Sequence, residues 1–141
     1  MASHRHTPEI EQTLSKVAGV KATVTFVPHL LPVNRGILST IYARMKPDVT
    51  LEAVREAYRL AYEGETFVRL MPEGAAVNIN HVRCSNYCDI QLYEDRHTDL
   101  LIVTSVIDNM VKGAAGQAVQ NMNLICGLPE TAGLDMVPPA F

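Results

Sequence analysis

The sequence predicts an α+β domain, a mixed and largely antiparallel sheet with helices on one face. Three observations carry that expectation. Helix-like and strand-like stretches follow one another with short connections rich in Gly, Pro and polar residues. Between residues 66 and 107 the strand candidates run consecutively, without the crossover helices a parallel array needs. Finally, 48% of the 141 residues are hydrophobic, enough for one real core in a chain of single-domain length.

The first helix is expected from Thr7, with Thr7 as cap, Pro8 at the first helical position and Glu9 and Glu11 near the positive end of the dipole. Ile10, Leu14 and Val17 keep helical spacing, and Gly19 is a natural stop. Val20, Ala22, Val24 and Phe26 alternate with Lys21, Thr23 and Thr25, which reads as a half-buried strand ended by Pro28. Leu31 to Gly36 reads as a loop and Gly36 to Met45 as a second strand. Thr50 caps the next helix, whose stripe is Leu51, Val54, Tyr58 and Ala61 and whose end is Gly64. Further strands are expected at Thr66–Met71, Ala76–Arg83, Tyr87–Tyr93 and Leu100–Ile107. The last is nearly all apolar and belongs in mid-sheet. A final helix spans Ala114 to Ile125, closed by Gly127 and Pro129. The total is about six strands and three helices, and the uncovered sheet face needs a second layer, either a partner subunit or another domain.

Composition narrows the function. Fifteen acidic residues against twelve basic ones give a net charge of −3, which offers nothing to nucleic acid. No apolar run approaches the roughly 18 residues of a membrane span, and the first residues lack a signal-peptide core. Cys84, Cys88 and Cys126 match neither a disulfide framework nor a zinc spacing, which suits a reducing, cytoplasmic setting. Cys84 and Cys88, four apart in a strand-like stretch, are expected on one face as small packing residues. There is no Gly-x-Gly-x-x-Gly after a strand, no P-loop and no nucleophile elbow.

Three constellations remain. In His4-Arg5-His6-Thr7-Pro8-Glu9, two imidazoles, a guanidinium and a carboxylate gather at a helix start. Glu9, three residues beyond His6, is placed to turn back towards its ring and raise its basicity. The alternative is a solvated terminus with chance histidines. In Pro28-His29-Leu30-Leu31-Pro32-Val33-Asn34-Arg35-Gly36, two prolines stiffen a loop presenting an Arg suited to carboxylate or phosphate. The alternative is an ordinary connection with a surface Arg. In the run from Lys112 to Asn123, small residues and the amides of Gln117, Gln120, Asn121 and Asn123 sit at a helix start. There the alternative is a helix packed tightly on the sheet.

The segments HRHTPEIEQ, PHLLPVNRGIL, SNYCDI, SVIDNMVKGAAGQAVQNMN and GLPETAGL occur in that order over nearly the whole chain. As a set the chain resembles the carboxy-terminal half of the N-acetyl-γ-glutamyl-phosphate reductase family. That resemblance implies an α+β domain similar to the second domain of glyceraldehyde-3-phosphate dehydrogenase, so residues 1–141 form one substrate-binding and dimerisation domain. It implies reduction of an acyl phosphate to the semialdehyde in arginine biosynthesis, with NADP(H) held mainly by a dinucleotide-binding domain absent from these residues. The family's nucleophilic Cys stands in a Gly-Cys-Tyr-Pro-Thr-like motif that does not occur here, so none of the three cysteines takes that role and the chain alone is expected to be inactive. Carried over by position, His6 is the base and Glu9 orients it, with His4 as the runner-up. Arg5, Arg35 and His4 contact the substrate's anionic groups, and Gln117 and Gly116 lie near the cofactor. The resemblance also implies a homo-oligomer, dimer or tetramer, and no metal. Two other functions stay open: a non-catalytic binding or dimerisation module that kept the fold, and a small metal-binding protein using His4, His6 and Glu9.

Overall fold

The computed structural model describes residues 4–139. The chain forms two compact units, Met1–Val33 and Asn34–Phe141.

In the first unit, helix α1 spans Thr7–Ala18. It starts and stops close to the expected places for the expected reasons. Pro8 lies in the first turn with Glu9, and Gly19 closes the helix in the left-handed conformation, φ 68°. Thr7 differs from its expected role. It is the first helical residue, and no side chain makes the cap bond. Its backbone N–H donates to His4 O at 3.0 Å, while its buried hydroxyl has no partner.

The strand expected over residues 20–26 does not form. Its alternation is nevertheless present, because Ala22, Val24 and Phe26 are half-buried while Lys21, Thr23 and Thr25 are exposed. A strand also needs a neighbouring backbone, and here side chains of α1 take that place. Ala22 N–H donates to Ser15 Oγ at 2.8 Å and Val24 N–H to Glu11 Oε1 at 3.0 Å. Alternate amides are thereby satisfied without a ladder.

The second unit holds a four-stranded mixed sheet in the order β1-β4-β3-β2. β1 is Ile37–Arg44, β2 Val68–Leu70, β3 Cys88–Glu94 and β4 Leu100–Ile107. β4 lies between β1 and β3 and pairs antiparallel with both, which is the interior place its apolar run requires. β2 is the single parallel neighbour, on β3. The stretch 76–83, expected as a strand, is instead irregular with a short 3-10 turn at Ile79–His81. The Asn78 side chain accepts the Asn80 N–H at 2.9 Å, and this local bond competes with extended pairing.

Helix α2, Leu51–Ala61, starts where Thr50 Oγ1 accepts the Ala53 N–H at 3.2 Å. Leu51, Val54 and Tyr58 pack on Ile90, Leu92, Leu101 and Val103, residues that the β3–β4 register sets on one face. This is the core. The opposite face of β3 carries Asp89 and Gln91, both fully enclosed and hydrogen-bonded to Arg69 and to the carbonyls of Pro72 and Ala75. The last helix is in two parts: a π turn at Val111–Ala115 and then α3, Gly116–Ile125. Cys84 does not share a strand face with Cys88, contrary to expectation. Cys84 sits in a turn at φ 58°, and Cys88 opens β3. Among the described residues no helix is long and apolar enough to cross a membrane.

Burial decides where a leucine matters. Leu92 is 3% exposed and Leu30 is fully exposed. Leu92→Ala is expected to lower unfolding free energy by about 2–5 kcal/mol, and Leu30→Ala to change it by less than about 0.5 kcal/mol. Urea unfolding checks both, and similar losses would contradict this placing of the core.

Candidate functional site

The helix start of the first unit keeps its two histidines apart in role. The His6 backbone N–H donates to His4 Nδ1 at 3.3 Å, so His4 Nδ1 is an acceptor and its proton sits on Nε2. The His4 ring is half-buried, edge-on to Phe26 at 5.4 Å and to His6 at 4.8 Å. The His6 ring is exposed, as are Arg5 and Glu9. Glu9 does not fold back onto His6. Among the described residues no hydrogen bond or ion pair joins them, and the Glu9 backbone carbonyl accepts from Thr13 Oγ1 at 3.0 Å. His6 is the residue before the first turn of α1 and Glu9 lies in that turn, but nothing here draws the carboxylate towards the ring. His6 therefore remains an uncommitted imidazole, and His4 is tied into local packing.

In the second unit Arg35 belongs to a tight polar knot centred on Asp108. Its Nε donates to Asp108 Oδ2 at 2.6 Å. The same oxygen accepts the Cys84 N–H at 2.6 Å, while Oδ1 accepts the N–H groups of Met110 at 2.8 Å and Val111 at 2.9 Å. Asp108 is fully buried, and Arg35 keeps part of its side chain in solvent. Burial alone would raise the Asp108 carboxyl pKa; the Arg35 guanidinium and the three backbone N–H groups outweigh it and hold the pKa below the ordinary range. The hydrogen bond to Asp108 in turn raises Arg35. The neighbouring backbone is held too, because Gly36 N–H donates to Asn109 Oδ1 at 2.7 Å. Gly36 has φ 111°, and a Cβ there would run into the Ile79 side chain.

The π turn follows from the same carboxylate. With Met110 and Val111 N–H bound to the Asp108 side chain, the chain continues through wider steps. Gly113 N–H reaches Asp108 O at 2.9 Å, Ala115 N–H reaches Met110 O at 3.1 Å, and Gly116 N–H caps Val111 O. Each spans five residues, the π pattern.

The amide run at α3 is mostly structural. Gln120 Oε1 accepts from Asn86 Nδ2 at 2.9 Å and Lys112 Nζ at 2.7 Å, and Gln120 Nε2 donates to Glu130 at 2.5 Å. Asn123 Nδ2 donates to the carbonyls of Glu130 and Ala132. Burial pushes the Lys112 ammonium pKa down. Gly116 is buried, and a Cβ on it would collide with Asn86 Oδ1 and lie 2.6 Å from Val111 Cγ1. Close packing thus accounts for this glycine, and it offers no free surface to a cofactor. Gln117 is half-exposed, and its amide nitrogen donates to Asn121 Oδ1 at 3.0 Å. Its carbonyl oxygen is left for other partners. Among the described residues no group of three or more His, Cys, Asp or Glu could hold a metal.

Asp108, Asn86, Lys112 and Glu130 escape a reading by local motif. The one usable signal for Asp108 is an acid directly after an apolar central strand, where a charge needs a partner.

The packing of Gly116 gives a test. Alanine there gains about 1 kcal/mol in helix propensity. Overpacking costs about 1–3 kcal/mol, and the collisions are with the buried Asn86 side chain and with Val111, whose backbone oxygen cannot move aside, so Gly116→Ala is expected to be destabilising overall. Gly113→Ala, whose methyl meets nothing nearer than 3.4 Å, is expected to be neutral or better. Thermal melts that rank the two the other way would contradict the packing described.

The family model described as "Semialdehyde dehydrogenase, dimerisation domain" matches residues 1–109. Curated proteins named N-acetyl-gamma-glutamyl-phosphate reductase are similar across the chain. The protein from Brachyspira hyodysenteriae is 55% identical over 142 residues, covering 100% of this chain and 40% of its own length. That from Pelotomaculum thermopropionicum is 58% identical over 134 residues, covering 95% of this chain and 39% of its own length. A Geobacter relative is 56% identical over 135 residues, covering 96% and 39%. The chain thus spans about 40% of the length of these relatives. With an α+β fold, a mixed four-stranded sheet and a family match over most of its residues, the chain belongs to the semialdehyde dehydrogenase dimerisation-domain family.

Proposed function

We propose that this chain is the substrate-binding and dimerisation part of an NADPH-dependent, cytoplasmic N-acetyl-γ-glutamyl-phosphate reductase. Such an enzyme converts the acyl phosphate to N-acetylglutamate semialdehyde. The names of the relatives support the reaction, and one geometric observation supports this chain's share in it. The Arg35 guanidinium is fixed through Nε on a buried carboxylate, and no partner for its two terminal nitrogens is found among the described residues. A planar fork held in that way suits a carboxylate or phosphate. In this reading Arg35 and the exposed Arg5 meet the anionic groups of the substrate.

His6 is the proton-handling group in this proposal, because its ring is exposed while His4 is engaged with His6 N–H and Phe26. Glu9 supplies negative charge near the helix start rather than a direct bond to the ring. The reductive chemistry belongs to a nicotinamide nucleotide when one is bound. Of the two positions expected near it, only Gln117 keeps a free polar atom, while Gly116 does not fit a direct contact. The bulk of nucleotide binding and the nucleophilic thiol lie in this reading on other residues than these. A second copy of the chain fits the exposed β1 strand, where Ile37, Leu38, Ile41 and Tyr42 are 44–65% exposed on an unpaired sheet edge. The competing module without catalysis has one observation in its favour, the lack of any bond between His6 and Glu9.

The test is His6→Ala in a full-length reductase built with this segment, assayed as phosphate-dependent NADP reduction by the semialdehyde. The proposal expects a fall in rate of about 10²–10⁴-fold. A fall of less than about tenfold would assign this chain to the non-catalytic module.

A further inference from the structure

We infer that Asp108 is a positioning residue: it fixes the Arg35 guanidinium so that only the edge formed by its two terminal nitrogens can receive an oxyanion, which is then bound end-on. This rests on the proposal that Arg35 meets an anionic group of the substrate, and it goes further by naming what aims that group and along which edge.

The geometry begins with strand register. β1 and β4 are in register to their last pair, Ile37 with Ile107. Arg35-Gly36 and Asp108-Asn109 are the residues next in line beyond the two strands. Here the ladder passes to side chains: Asn109 Oδ1 takes the Gly36 N–H at 2.7 Å, and Asp108 Oδ2 takes Arg35 Nε at 2.6 Å. Both the backbone and the head of Arg35 are thereby tied to one rigid strand end. A free Arg head rotates about several bonds, and ordering it costs binding energy. This one is ordered before any ligand arrives. An arginine can pair with an oxyanion side-on, through Nε and one terminal nitrogen, or end-on through both terminal nitrogens. Spending Nε on Asp108 removes the first mode.

Asp108 is itself immovable. It is 0% exposed and takes four N–H donors, three of them backbone groups from two separate segments, Cys84 and Met110-Val111. Rotating the carboxylate to release Arg35 would leave buried amides unsatisfied. The carboxylate therefore works as an anchor, although its charge opposes that of an incoming anion. This opposition makes the inference sharp, because charge and positioning predict opposite signs. In Asp108→Asn one carboxylate oxygen becomes an NH₂. If the remaining oxygen keeps Met110 and Val111, the NH₂ faces two donors, Arg35 Nε and the Cys84 N–H, and the guanidinium is set loose. Removal of a negative charge alone would tighten anion binding.

The experiment uses the ¹⁵N-labelled chain, its Asp108→Asn and Arg35→Ala variants, and two probes: inorganic phosphate, and N-acetyl-L-glutamate for the carboxylate. Positioning predicts that Asp108→Asn weakens binding of whichever probe Arg35→Ala abolishes, by about fivefold or more. The probe affected identifies the anion as phosphate or carboxylate. Binding by Asp108→Asn as tight as the wild type, or tighter, overturns the inference while leaving Arg35 as an anion contact. Unchanged binding by Arg35→Ala defeats the underlying proposal instead. Side-chain ¹⁵N relaxation on the ligand-free wild type decides the matter even if Asp108→Asn fails to fold. Arg35 Nε–H is expected to be as rigid as the backbone, with exposed Arg96 as the mobile reference. An Arg35 as mobile as Arg96 overturns the inference.

Discussion

A single buried carboxylate sets the local architecture of the second unit. Asp108 receives an ion pair and three backbone N–H groups, so four donors from three stretches of chain converge on two oxygens. The strand that brings it there, β4, lies between β1 and β3, and the turn it organises launches the last helix. Arg35 ahead of β1, the strained turn at Cys84 and the π turn at Val111–Ala115 all answer to the same group. A buried charge is stable only when it is paired and hydrogen-bonded throughout, and this one is. Its ionised form is favoured, so its contribution is complete above the unfolded-state pKa of about 3.9 and is lost as pH falls through the lower folded value.

Around that anchor the unit divides its work between apolar and polar packing. One side of β3 and β4 joins α2 in an aliphatic core. Enclosed polar side chains do the rest: Gln91 bridges to the irregular segment after β2, and Asn86, Gln120 and Asn123 tie the turn before β3, helix α3 and the chain around Glu130 into one network. Such networks fix relative positions more strictly than apolar contact does, because each missing partner leaves a buried polar group unsatisfied. In the proposed reading that strictness has a use, because groups that meet a substrate must be held to fractions of an ångström.

The parts legible in the sequence are those set by local chemistry. Thr50 capping α2, Gly19 ending α1, and the apolar run of Leu100–Ile107 taking an interior strand all follow from residues within a few positions of one another. The misreadings share a cause. Residues 20–26 have the alternation of a strand, but strandhood depends on a partner backbone, and Ser15 and Glu11 satisfy their amides instead. Residues 76–83 look extended until Asn78 bonds its own neighbour. In the candidate site, Arg35 is legible as a loop arginine next to a glycine, whereas Asp108 is not, because its partner lies 73 residues away. Gly116 is placed near the cofactor only by the resemblance, while the structure gives this glycine a packing role, since a Cβ there would collide with Asn86.

In the proposed reading Arg35 is a fixed, forked receptor for an oxyanion rather than a surface charge. The most direct measurement is the affinity of Arg35→Lys for phosphate and for N-acetyl-L-glutamate. Lysine keeps the charge and loses both the planar fork and the Nε that Asp108 holds. Binding weaker by about tenfold or more is expected, since a hydrogen bond to a charged group is worth about 1.5–3 kcal/mol. Affinity equal to that of the wild type would show that charge alone suffices and would contradict that reading.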